Sequence, residues 1–188
     1  MSYNTNIVTK SKVVALEIDI GLRNDMVRFI KERIMKNLQA IKQFLQLNVK
    51  EYDDICAGLY TYAVEEYGKI LYLTNLSASP SNNKVKIRYT HDNHGFLDHD
   101  HKFDLALKAL PNSCRVLRGG GFTTTGFTPT GFTQDTTADF ETRMSVFYAN
   151  FDKNNNYNSI LRPIEVDRDL LVNAVEDFLA FMRQQKYP

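Results

Sequence analysis

Apolar residues recur at Leu22, Met26, Phe29, Ile30, Ile34, Leu38, Ile41 and Leu45. Steps of three and four are the helical period, and here they predict one long helix of about seven turns, ending at Leu47. A second helix is expected from Asp53 to about Leu76, through Leu59, Ala63 and Ile70, with Asp53 and Asp54 as capping carboxylates. Gly58 and Gly68 inside it each cost about 1 kcal/mol relative to alanine. Their use would be close approach of another helix, which predicts a central position. From Ser77 to Gly95 the chain is polar and turn-rich. A shorter helix follows over Phe96 to Leu110, with Phe103 and Leu107 on its apolar side and Pro111 closing it. A last helix opens at Asp167 and carries Leu170, Leu171, Ala174, Val175, Phe178, Leu179 and Met182 on one face.

Two stretches break this pattern. A five-residue unit repeats from Gly121, Gly126 and Gly131, each glycine followed by Phe-Thr. It is too short for a solenoid and reads as a long loop whose Phe122, Phe127 and Phe132 need cover. Strand-like alternation over Met144–Phe151 and Ile160–Val166, joined through an asparagine-rich turn, predicts a small hairpin with Pro163 on its edge. The expected fold is therefore all-α, an up-and-down helical bundle with a small β-hairpin. Residues 1–21 read as an N-terminal extension and 22–188 as a single domain, with a loop insertion at about 111–142.

A chain of 188 residues supports one domain with a real core. Its 43% hydrophobic and 24% charged content is that of an ordinary globular protein, without a signal-like start or a membrane-length apolar run. A cytoplasmic protein without membrane partners is expected. Two cysteines, Cys56 and Cys114, make no disulfide framework or zinc motif. The net charge of +1 argues against a wholly basic nucleic-acid binder. The segment Arg23–Lys50 nevertheless holds seven basic residues, Arg28 and Lys31 among them, against Asp25 and Glu32. It reads either as a solvated helix face or as a phosphate-attracting stripe.

Candidate chemistry sits in two clusters. All four histidines, His91, His94, His99 and His101, fall within eleven residues, interleaved with Asp92, Asp98 and Asp100. Imidazole is the side chain that changes charge near neutral pH. Upstream, Glu65-Glu66-Tyr67-Gly68-Lys69 interrupts an apolar run, where charges stay buried only when paired. The histidines admit a metal site, a solvated turn, or acid–base work on a phosphodiester with Lys69, Lys102 or Arg88 stabilising charge. Their spacing matches no zinc motif, and no metal or cofactor is assigned.

Taken in order, these segments resemble the abortive-infection AbiV family of the HEPN superfamily. The resemblance rests on the long first helix, Ala63-Val-Glu-Glu-Tyr-Gly-Lys69-Ile-Leu, Phe96-Leu-Asp-His99-Asp-His-Lys102, Val146-Phe-Tyr-Ala-Asn-Phe151, and Pro163 before the final helix. It covers about Leu22 to Met182, apart from the repeat. The family's Glu-Glu-x-Gly-Lys and His-x-x-Lys motifs map onto Glu65, Glu66, Gly68, Lys69, His99 and Lys102. The resemblance implies a bundle that dimerises, in a superfamily rich in metal-independent ribonucleases of phage defence and toxin systems. RNA, a phage protein or an antitoxin are the implied partners. Many such nucleases carry Arg, four to six residues, then His. Measured back from His99 those arginine positions hold Asp92, Asn93 and His94, whereas Arg88 with His94 satisfies the spacing in a segment read as loop.

On this reading His99 is the acid or base, Lys102 and Lys69 stabilise charge, Glu65 or Glu66 orients one of them, and Arg88, His94, Arg28 and Lys31 contact RNA. Two alternatives stay open: a non-catalytic helical dimer that binds RNA or protein, and a metal-dependent hydrolase built on the histidines and aspartates.

Overall fold

The computed structural model describes residues 14–91, 94–115 and 168–187. They form strand β1 (Val14–Asp19), helix α1 (Ile20–Gln46), helix α2 (Asp53–Thr74), strand β2 (Lys84–Tyr89), helix α3 (His99–Ala109) and helix α4 (Arg168–Gln184). Among the described residues the protein is mostly helical, with one small two-stranded antiparallel sheet.

Helix α1 buries Val27, Ile30, Ile34, Leu38, Ile41 and Leu45, a seam spaced by three and four. Leu22 and Phe29, expected on that seam, are exposed instead, and Val27 takes the inward position. Helix α2 is buried on nearly every side, as a central helix must be. It packs on α1 and α3, and α4 lies against α1. Arg23 near the start of α1 donates to Leu76 O just past α2, so the two helices run antiparallel. Arg168, the first residue of α4, bonds both Asp53 at the start of α2 and Leu45 O at the end of α1. Helix α4 therefore runs back along α1, inserting Leu171, Ala174, Val175, Phe178, Leu179 and Met182 into the common core. Leu170 stays exposed.

That arginine corrects the capping role expected of Asp53. The residue before α2 is Tyr52, with no side-chain cap bond, and Asp53 is buried. Burial pushes its carboxyl pKa up, with Arg168 acting in the opposite direction.

The sheet lies where the sequence reading put none. Strand β1 falls within the expected N-terminal extension, and α1 begins at Ile20, so residues 14–21 belong to the fold. Strand β2 falls in the stretch read as turns. Its Val85 and Ile87 are buried while Lys86 and Arg88 stay exposed, the period-2 signature of a half-buried strand. The register sets Glu17 opposite Lys86 and Asp19 opposite Lys84, pairs of opposite charge. The expected hairpin over 144–166, the repeat from Gly121, the Asp167 cap and the 146–151 motif lie outside the described residues. Among the described residues no helix is long and apolar enough to cross a membrane.

Candidate active site

Helices α2 and α3 meet at Gly68. A β-carbon there would fall 2.5 Å from the backbone carbonyl carbon of Lys102 and 2.9 Å from its Cα, and nearer still to its oxygen. Glycine is the residue that permits this approach. The contact brings the first turn of α3 over the carboxylates of α2. His99 Nδ1 donates to Glu65 Oε1 at 2.6 Å, and the Lys102 ammonium lies 3.2 Å from the same oxygen. On the next face Lys69 pairs with Glu66.

Glu65, Glu66 and Lys102 are 3%, 2% and 1% exposed, so this is a buried charged cluster, whereas the His99 side chain keeps 41% of its surface. Burial pushes the Lys102 ammonium below the usual lysine range, while the Glu65 carboxylate works to keep it charged. The Phe96 ring lies 5.9 Å from that ammonium. Glu65 thus holds a cation on its inner side and an imidazole on its outer side. A carboxylate on Nδ1 fixes the ring's orientation.

The histidine segment is held by the loop between β2 and α3. Phe96 N donates to Arg88 O at 2.7 Å and Leu97 N to Thr90 O at 3.0 Å. A β-carbon at Gly95 would collide with buried Thr90, so a side chain there would open the loop. His94 has a φ of 61°, and its N–H donates to Asp98 Oδ2 at 3.1 Å. The other oxygen of Asp98 accepts from His101 N at 3.0 Å, which caps α3 and starts it at His99 rather than Phe96. The rings form two pairs: His91 with His99 at 6.4 Å between centroids, and His94 with His101 at 4.4 Å. Burial lowers the His101 pKa, with His94 next in effect. Among the described residues no three His, Cys, Asp or Glu side chains are placed to hold a metal ion.

Of the sequence-derived site, Glu65, His99 and Lys102 are in direct contact, with Lys69 and Glu66 one face away. The residues assigned to RNA are scattered. Arg88 stands on the outward side of β2 opposite Ala15. Arg28 pairs with exposed Asp25, and Lys31 donates to Gln185 O at 2.6 Å beyond α4. A cation of α1 linked to the site through Tyr62 is Arg33, which the count of basic residues did not single out. It donates to Tyr62 Oη at 2.9 Å, and Tyr62 neighbours Glu66, which together with burial raises the phenol's pKa. At 100° per residue, Arg28 and Lys31 sit roughly 140–160° around α1 from Arg33. A count of basic residues could not show that split; the helical phase of Arg33 could.

The fold and site define a helical protein whose buried carboxylate–lysine cluster opens on an exposed imidazole. No family model, curated protein or solved structure matches the chain.

Proposed function

We propose that this protein is an AbiV-like HEPN bundle of cytoplasmic phage defence that acts as a metal-independent endoribonuclease, working as a homodimer. The observation that carries the reading is the contact of His99 with Glu65, backed by Lys102, on the residues of the two motifs that resemble the family. His99 Nε2 takes the proton of a ribose 2′-hydroxyl, and the oxygen attacks the adjacent phosphorus. Glu65 holds the ring in position and stabilises the imidazolium that forms. Lys102 is too buried to meet a phosphate and serves to hold Glu65 in place through their ion pair. Lys69, 23% exposed at its side chain, is the cation of the cluster that reaches the surface and can face phosphoryl oxygens.

The test is incubation of purified protein with total RNA in excess chelator, reading the ends for 2′,3′-cyclic phosphate. Cleavage that disappears in His99→Ala supports the reading. Its absence, or its persistence in that variant, refutes it. RNA retention without turnover, weakening with salt, would make the protein a non-catalytic RNA binder.

A further inference from the structure

A single imidazole can take a proton but leaves the departing 5′-oxygen without one. The geometry points to His91 as the general acid of this site, acting with His99 on one phosphodiester; the inference rests on the nuclease reading above. Both rings are at the surface, His91 exposed and His99 at 41% of its side chain. Their centroids lie 6.4 Å apart with ring planes 33° from parallel. That separation is on the scale of one phosphodiester flanked by a hydrogen bond of about 2.8 Å on each side.

Among the described residues, the other proton donors of the cluster are engaged elsewhere. Lys102 is 1% exposed and bound to Glu65, and Lys69 is held by Glu66. His101 is half-buried, edge-on to Tyr72, and burial favours its neutral form. His94 packs against His101 with the two rings tilted by 53°, and its backbone is fixed by Asp98. His91 follows directly on buried Thr90, the residue that Leu97 N and Gly95 clamp, so its backbone is held although its ring is not buried.

The step balances. The 2′-oxygen bonds to phosphorus as His99 Nε2 removes its proton, the bond from phosphorus to the 5′-oxygen breaks, and protonated His91 gives that oxygen its proton. The products are a 2′,3′-cyclic phosphate and a 5′-hydroxyl, and solvent exchange resets both rings. One subunit then supplies acid and base together.

The experiment uses an oligoribonucleotide spanning a mapped cleavage site, made with the natural bridging 5′-oxygen or with sulfur in its place. A thiolate leaves without protonation. His91→Ala is expected to slow cleavage of the oxygen substrate about a hundredfold or more, yet to cleave the sulfur substrate within about threefold of wild type. His99→Ala should lose both. An unchanged melting temperature for His91→Ala is expected from its exposure. If wild type cuts the RNA and His91→Ala is unaffected, or is slowed equally on both substrates, His91 is not the acid and the nuclease reading stands. If wild type cuts neither substrate, the nuclease reading itself fails.

Discussion

Replacing Gly68 by alanine tests whether the α2–α3 contact builds the site. The new methyl would meet Lys102 backbone, 2.5 Å from its carbonyl carbon, where ordinary contact begins near 3.4 Å. Backbone cannot rotate aside, so α3 must retreat by about 1 Å or more. Overpacking of this kind costs about 1–3 kcal/mol, set against about 1 kcal/mol gained in helix propensity. The expected net loss is about 0–2 kcal/mol, or up to roughly 8 °C in Tm for a chain of this size. The effect on the site is larger than that on the fold. A retreat of about 1 Å stretches the 2.6 Å His99–Glu65 bond past hydrogen-bonding distance. Urea unfolding measures the first quantity, and the nitrogen chemical shifts of the His99 ring report the second. Gly21→Ala is the control, because a β-carbon there meets nothing within 4 Å, so it should be neutral or stabilising by up to about 1 kcal/mol. A Gly68→Ala protein that is stabilised like the control, with the His99 ring signals unmoved, would refute the close-contact argument.

Three further outcomes follow. Glu65→Gln leaves the Lys102 ammonium buried without its carboxylate and should cost about 3–5 kcal/mol, whereas Glu65→Leu with Lys102→Met should be near neutral in urea unfolding while removing the site. Asp98→Ala deletes the α3 cap and the His94 bond, with an expected loss of about 1 kcal/mol in the same assay. The lowered pKa of His101 means the unfolded chain binds the proton more readily, so its contribution to stability is present above pH 6.5 and fades as pH falls through the folded-state value. His101→Gln should therefore flatten the fall in urea midpoint from pH 7.5 to 5, and an unchanged slope would show that the ring is not desolvated.

The helices were legible because each carries a long apolar phase. The seam of α1 and the all-round burial of α2 follow from residue spacing, and Gly68 in an apolar helix signalled a close neighbour. The meeting of Glu65 with His99 and Lys102 was foreseen only as two clusters converging, since 34 residues separate Glu65 from His99 and no local rule fixes their contact. Strand β2 was missed because Lys84, Lys86, Arg88 and Tyr89 outnumber its two buried apolar residues, though their alternation was there to be read. Strand β1 was missed for another reason: six residues carry little periodic signal, and its partner lies some 70 positions away. Asp53 looked like a cap because capping is a local rule, while its actual partner, Arg168, comes from the far end of the chain.

The pairing of β1 with β2 carries a consequence for how the protein is assembled. The strand that precedes the first helix waits through α1 and α2 before its mate is synthesised, so the sheet is a late, long-range closure. Once zipped, it anchors the stem on which the histidine loop is mounted. Strand β1 thereby ties that stem down: a chain lacking Val14–Asp19 would leave the imidazole platform hanging from an unpaired edge.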